Sequence, residues 1–368
     1  MQDSIHFTAD RWERVSKDWS AWWAGELDRP MVVIENHLPF ERLNPYPPPF
    51  AGRAGHFPLD APVDQVLDYY QMDLENTRYY GDAYPKWWPD FGPGIAAGFM
   101  GAKVNLASET IWFEPGQEER IENLSLAVDA SNPWWRRMQT LTRAAVERWG
   151  DQVCIGFTDL GGNLDILASF RTTQQLLFDL YDAPDEISRL STEITRGWLH
   201  YYDELAKLIE PPGLGTAPWA YIWSPQRTYM LQCDFSYMIS PRMFERFVMP
   251  DLAACCQSLD HSFYHMDGKG QIPHLDLLLS LPELDGIQWV PGDGNPPPEN
   301  WLPLLKRIRD GGKLCQINLG FEGALTVVRE LGGRGFAIWI KQWDGISASD
   351  AQAFLKQLAL VDISRKQP

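Results

Sequence analysis

Carboxylic acids and one histidine stand directly after apolar, strand-like runs at several points of the chain. They are Asp159, Asp234 and the pair His265 and Asp267. Carboxyl groups that meet on one rim repel each other and lose water, which raises at least one pKa and creates the acid and base partners of proton transfer. These four residues are therefore the predicted catalytic residues. Taken singly, each aspartate also fits a helix cap or an Asx turn.

The pair His265 and Asp267 is the strongest single candidate site. The two residues are two apart in a predicted strand, so both side chains point to one face, where they can share a proton or a metal ion. Gly268 and Gly270 follow and permit a ligand to approach the backbone closely. The alternative is a structural histidine. These residues do not identify a cofactor, and zinc or another divalent ion is the candidate metal.

Other residues near the predicted strand ends are candidates for substrate binding. Indole faces beside carboxylates suit a hydroxylated ring, or a methylated cation held by cation–π attraction. Packing at the top of the sheet explains each tryptophan equally well. The predicted substrate-binding residues are Asn163, Asp165, Trp223, His274, Trp289, Asp293, Trp339, Lys341 and Trp343.

The elements that must position these residues follow from an alternation of short apolar runs with helical patterns. This alternation predicts a parallel sheet that is buried on both faces. The candidate strands run near Ala83 to Trp88, Val153 to Thr158, Trp219 to Trp223, Tyr229 to Cys233, Ser262 to His265, Gly286 to Trp289, Leu314 to Asn318 and Phe336 to Ile340. Because no glycine-rich dinucleotide turn follows the first strand, we expect a (β/α)8 TIM barrel, whose active site lies at the strand ends.

The first 80 residues are predicted to form an N-terminal helical and loop extension that packs on a barrel of residues 81–368. The extension contains an amphipathic helix near residues 9–25 and a short strand at Met31 to Glu35. A proline-rich segment from Asn44 to Phe50 and a helix from about Val63 to Tyr80 follow. In the barrel part, Ser240 before Pro241 is typical of the start of a helix.

The chain is acidic, with a net charge of −17 and an isoelectric point near 4.8. This charge argues against nucleic acid and anionic membranes as partners, and it favours a small neutral or cationic substrate. No apolar run reaches 18 residues and the N-terminus lacks a signal-peptide pattern, so we expect a cytoplasmic protein. A homodimer is possible.

Three segments resemble the uroporphyrinogen decarboxylase and corrinoid methyltransferase superfamily. They are Phe91 to Gly101 (FGPGIAAGFMG), Tyr229 to Leu252 (YMLQCDFSYMISPRMFERFVMPDL) and Phe263 to Asp276 (FYHMDGKGQIPHLD). The resemblance covers roughly residues 70 to 345 and implies a barrel enzyme. In the methyltransferase branch it also implies a corrinoid cofactor carried by a partner protein.

The signature residues of both branches are incomplete. The methyltransferase branch binds zinc through a His-x-Cys pair and a later Cys; His265 matches, but Asp267 replaces the first Cys and the run Phe336 to Lys341 contains none. The decarboxylase branch holds its substrate through paired arginines in an N-terminal segment, and nothing similar precedes residue 80.

Three classes of function follow. The leading hypothesis is an acid/base hydrolase or lyase for a neutral hydroxylated ring such as a sugar or glycoside, with Asp159, Asp234 and Asp267 as acid and base and His265 as their partner. The alternative is a corrinoid-linked methyltransferase or demethylase of a small methylated substrate. A decarboxylase or a non-catalytic barrel that binds a small molecule is the lesser alternative.

Overall fold

The computed structural model describes residues 5–40, 53–116, 119–341 and 345–366. The strands are β1 (Met31–His37), β2 (Thr77–Gly81), β3 (Lys86–Trp87), β4 (Lys103–Leu106), β5 (Ile111–Glu114), β6 (Cys154–Ile155), β7 (Thr228–Gln232), β8 (His261–Asp267), β9 (Gly286–Val290), β10 (Leu314–Leu319) and β11 (Phe336–Ile340). The helices are α1 (Ala9–Trp23), α2 (Val63–Glu75), α3 (Ala96–Phe99), α4 (Pro133–Trp149), α5 (Asn163–Arg171), α6 (Thr173–Asp182), α7 (Pro184–Ile209), α8 (Pro241–Phe247), α9 (Met249–Gln257), α10 (Leu275–Leu279), α11 (Leu302–Asp310), α12 (Phe321–Leu331) and α13 (Ala348–Lys366).

The main sheet has seven strands in the order β2-β1-β11-β10-β9-β8-β7. Its strands pair in parallel except β2, which is antiparallel to β1. A second parallel ladder joins β3 to β6, and β4 and β5 form an antiparallel hairpin. The predicted α/β class with a parallel sheet is confirmed. Within the described residues, no ladder joins β6 to β7 or β3 to the main sheet.

One predicted strand is wrong. The segment Trp219 to Trp223 is rich in aromatic and β-branched residues, but it forms an irregular loop between Pro218 and Pro225. The ammonium group of Lys86 binds the carbonyl oxygens of residues 218–220, which therefore do not enter a β ladder. The other predicted strands overlap β3, β6, β7, β8, β9, β10 and β11.

The N-terminal segment contributes strands to the main sheet. The predicted strand at Met31 to Glu35 is β1, and it pairs with β11. The predicted helix from Val63 ends at Glu75, after which Thr77–Gly81 returns as β2. Hydrogen bonding thus ties this segment into the sheet, and the division at residue 80 stays a prediction. The proline-rich segment from Asn44 to Phe50 lies outside the described residues.

Helix starts follow the local sequence signals. The Ser240 hydroxyl accepts a hydrogen bond from the backbone N–H of Met243, 3.3 Å away, at the start of α8, as predicted. The first helix, α1, buries Trp12, Trp19 and Trp22 against the sheet. None of the helices in the described part of the chain is both long enough and apolar enough to span a membrane.

Candidate functional site

Asp234, His265 and Asp267 meet at the carboxyl ends of two neighbouring parallel strands. His265 and Asp267 lie on β8 and point to the same face, because side chains alternate along a strand. Asp234 begins a 3-10 helix (Asp234–Met238) soon after β7 ends. One ligand atom from each of the three residues lies within 4.8 Å of the other two. Three of the four predicted catalytic residues therefore form one cluster.

Asp159, the fourth predicted catalytic residue, lies in the loop that follows β6 and is buried. Its Oδ1 accepts hydrogen bonds from the backbone N–H of Gly161 at 2.9 Å and from the Gln232 amide at 3.0 Å. Gly161 has φ +85° and packs against the backbone of Gly94, so a larger residue does not fit this turn. Burial, followed by the charge of Asp234, raises the pKa of Asp159 to about 7.

Asp165 holds the backbone of Asp234 in place. Its two carboxylate oxygens accept the backbone N–H groups of Asp234 at 2.9 Å and Phe235 at 2.7 Å. Burial and the charge of Asp234 raise the pKa of Asp165 to about 7, although the two N–H groups oppose this rise. The pKa of Asp234 is raised as well, by partial loss of solvent and by the charge of Asp267, against the opposing charge of His265, although Asp234 reaches the surface.

His265 links the acidic cluster to the interior of the sheet. Its Nδ1 is hydrogen-bonded to Oε1 of Gln288, and its Nε2 lies 3.8 Å from Oδ2 of Asp267. The Trp219 ring packs nearly perpendicular to the imidazole, with 5.2 Å between ring centroids. Burial by itself lowers the pKa of His265, but Asp267 and Asp234 outweigh it, so the pKa is raised.

A cavity of about 340 Å³ opens beside Asp234. Its polar wall contains Asp165, Gln232 and Asp234, and its apolar wall includes Trp112 and Phe235. Among the described residues that line it, none is basic. The cavity therefore suits a small neutral or cationic molecule better than an anion.

Two further cavities differ in their relation to the cluster. One of about 420 Å³ is lined by Glu35, Lys86, Tyr221 and Asp90, among others, and the charge of Asp90 contributes to the raised pKa of Asp159. A larger one of about 540 Å³ lies between α1, β1 and α13 and contains none of the predicted site residues. The cavity that touches the cluster is therefore the one beside Asp234, and not this 540 Å³ cavity.

Four predicted substrate-binding residues are engaged in packing or structural hydrogen bonds instead. The Asn163 amide donates to the carbonyl of Phe247 at 2.7 Å, and the Trp223 indole donates to that of Leu214 at 2.7 Å. His274 is fully buried, stacks on Phe244 and contacts the carbonyl of Ser236. Trp289 is fully buried and packs against Trp301. The structure does not bring these four side chains to the cluster.

Trp339 lies in β11, and Lys341 follows this strand directly. Trp339 stacks on Tyr221 at 4.1 Å, and the ammonium group of Lys341 lies 5.3 Å from the centroid of the Trp339 ring. Asp293 is exposed in the loop after β9. Trp343 lies outside the described residues. Asp165, as described above, is hydrogen-bonded to the backbone N–H of Asp234.

Sequence reasoning missed the glutamines that accompany the cluster. Gln232, Gln288 and Gln316 are buried and lie in β7, β9 and β10. A signal for them exists, because each interrupts an apolar strand with an amide that must find partners once it is buried. Lys86, which binds the loop of residues 218–220, gives a similar signal, because it is a charged residue within a mostly apolar predicted strand.

The donor set of Asp234, His265 and Asp267 fits a divalent metal ion. Two carboxylates and one imidazole are hard and borderline ligands, and three protein ligands leave positions open for water or substrate. His265 uses Nδ1 for Gln288 and leaves Nε2 facing Asp267; histidines that bind a metal through one ring nitrogen are commonly held by a hydrogen bond at the other. The set contains no thiolate, unlike the zinc site that the superfamily resemblance implies.

We expect the raised pKa of Asp159 to make the protein less stable as the pH rises from about 4 to 7. The native carboxyl group keeps its proton up to about pH 7, whereas the unfolded one loses it near 3.8. The resulting stabilisation is complete below 3.8 and lost as the pH passes 7, at no more than about 1.4 kcal/mol per pH unit. Urea unfolding of Asp159→Asn in chelator should show a shallower pH dependence than the wild type, and parallel curves would contradict the assignment.

Comparisons with known proteins identify the fold. No family model and no curated protein matches the chain. Among solved structures, it is similar to a methyltransferase from Methanosarcina mazei, with 12% identity, 76% of this chain and 80% of that chain covered, and a TM-score of 0.51. A B12-independent methionine synthase from Shewanella sp. is matched at 13% identity over 73% of this chain and 76% of that chain, with a TM-score of 0.34. The similarity to the methyltransferase confirms, for the fold, the resemblance that the sequence indicates.

Proposed function

We propose that this chain is an enzyme that transfers a methyl group to or from a small neutral or cationic molecule, at a divalent metal ion bound by Asp234, His265 and Asp267. The observation that carries the proposal is the meeting of these three donors within 4.8 Å, with Asp234 also lining a cavity of about 340 Å³. The fold similarity to a methyltransferase favours methyl transfer over the carbohydrate chemistry that the sequence suggests first.

Asp159 and Asp165, which lie beside the cluster, have distinct tasks in this proposal. A divalent ion held by Asp234, His265 and Asp267 would supply a Lewis acid that lowers the pKa of a coordinated nucleophile. Asp159 has a pKa of about 7, is half ionised at neutral pH and can take up the released proton. Asp165 keeps the backbone of Asp234 in place. In the transfer, the nucleophile's electron pair forms the new bond to carbon, and the leaving atom keeps the pair of the broken bond.

Metal binding and methyl transfer are tested separately. Titrating the chelator-treated protein with Zn²⁺ or Co²⁺ is expected to raise the free energy of unfolding, by about 2.7 kcal/mol once the free ion reaches 100 times its Kd. Methylcobalamin with a small thiol as acceptor is then expected to lose its methyl group only in the presence of protein and metal. Binding without transfer to any acceptor would contradict methyl transfer, and no binding would contradict the metal site.

A second function has its own supporting observation. Asp159 and Asp165 both have a pKa of about 7, so either carboxyl group can donate a proton at neutral pH. This supports metal-independent acid/base catalysis on a hydroxylated ring such as a sugar. Turnover of such a substrate in excess chelator, lost in Asp159→Asn, would favour this function over methyl transfer.

We also propose that the two parallel ladders belong to one (β/α)8 barrel. The backbone N–H of Phe157, just after β6, donates to the carbonyl of Ala217 at 2.8 Å, and Thr228 of β7 donates to the hydroxyl of Thr216 at 3.1 Å. On the other side, Asp82 donates to the carbonyl of Val32 in β1 at 2.7 Å. The first two bonds bridge the interval between β6 and β7, and the third holds the start of the segment that leads from β2 to β3 against β1.

A further inference from the structure

A row of polar side chains crosses the sheet beneath the acidic cluster. Gln232, His265, Gln288 and Gln316 are partners in register on β7, β8, β9 and β10, so their side chains point to one face at one level. The three glutamines are between 1% and 7% exposed. Amides buried to this extent are costly unless their donors and acceptors are paired.

The hydrogen bonds on one side of this row run in a single direction. The Gln316 amide nitrogen donates to Oδ1 of Asn318 at 3.0 Å, and the Gln288 nitrogen donates to Oε1 of Gln316. Gln288 therefore turns its oxygen toward His265. An amide oxygen only accepts hydrogen bonds, so Nδ1 of His265 must carry the hydrogen of this contact.

We infer that Gln288, Gln316 and Asn318 form an amide relay of positioning residues that fixes the neutral His265 ring in its Nδ1–H form. The lone pair is then on Nε2, the atom that lies 3.8 Å from Oδ2 of Asp267. For the ring hydrogen to move from Nδ1 to Nε2, all three amides must exchange the positions of oxygen and nitrogen together. Turning one amide alone would place two donors or two acceptors face to face. Only the purpose of the relay, to present Nε2 to a metal ion, rests on the proposed function.

The relay is tested by the tautomer of His265 in metal-free, 15N-histidine-labelled protein above the pH at which the ring becomes neutral. The chain has seven histidines, and the spectrum of His265→Asn assigns the signal. We expect a single Nδ1–H form in the wild type and a mixture of forms in Gln316→Met, which removes the relay bonds without touching His265. In the same variant, the Kd for Co²⁺ should rise about 10-fold, as for other outer-shell partners of metal ligands.

Gln232→Met is the matched control. Gln232 is the register partner of His265 on the other side, but its amide binds Asp159, so the His265 tautomer should not change in this variant. If Gln316→Met does not fold, the half-buried Asn318 offers a second pair of variants. Asn318→Asp keeps the acceptor for Gln316 and should keep the single Nδ1–H form, whereas Asn318→Val removes the acceptor and should give a mixture of forms. An Nε2–H form in the wild type, or a tautomer indifferent to Gln316→Met and Asn318→Val, overturns the relay. Absence of Co²⁺ binding with the expected tautomers contradicts the metal site alone.

Discussion

Replacing His265 by alanine is expected to weaken the binding of Co²⁺ or Zn²⁺ by more than about 100-fold and to abolish methyl transfer. Loss of an outer-shell partner alone lowers metal affinity about 10- to 100-fold, and His265 is the one nitrogen donor of the cluster. Without it, Asp234 and Asp267 are two carboxylates with no neutral ligand between them. Isothermal titration of chelator-treated protein measures the loss directly, independent of any substrate.

His200→Ala is a suitable control for this variant. His200 is exposed on α7, where its ring packs against Tyr201, so its removal should leave metal affinity unchanged. Equal affinity in His265→Ala and wild type would exclude the proposed ligand set. Equal loss in both variants would mean that binding occurs at surface histidines instead.

The parts of the cluster that the sequence predicts depend on rules of local spacing. His265 and Asp267 are two apart in one strand, so they share a face wherever that strand lies. Asp234 comes soon after an apolar strand, and parallel strands end on one edge of a sheet. Neither inference needs to know which strands are neighbours, which is why both agree with the positions in the structure.

Residues that depend on strand register are harder to predict. Trp289 is a candidate because its indole face suits a ring-shaped substrate. The pairing of His265 with Gln288, however, places the glutamine beside the histidine and Trp289 on the opposite face. A shift of one residue reverses this choice, and nothing local in the sequence sets it. Likewise, His274 follows Asp267 closely in the chain, yet the 3-10 helix Lys269–His274 turns its ring onto Phe244.

The loop of residues 218–220 shows how a tertiary contact overrides local propensity, because one lysine binds it. The Lys86 ammonium group donates to the carbonyl oxygens of Pro218 and Trp219 at 3.2 Å each and of Ala220 at 2.7 Å. Burial lowers the pKa of Lys86 to about 8, against the opposing charge of Glu35, so the charged form with three N–H donors prevails at pH 7. Lys86 thereby fixes the loop whose Trp219 ring packs against His265.

Lys86→Met is therefore expected to lower the free energy of unfolding by about 3 kcal/mol, because it leaves buried carbonyl oxygens without their donor. The exposed Lys103, paired loosely with Glu114 at 3.7 Å, provides the control, and Lys103→Met should change stability by less than about 0.5 kcal/mol. Denaturant unfolding measures both variants. In Lys86→Met the freed Trp219 should also shift the NMR signal of His265 at temperatures well below unfolding. A variant as stable as the wild type, with an unchanged His265 signal, would mean that the loop is held by its own packing and not by the ammonium group.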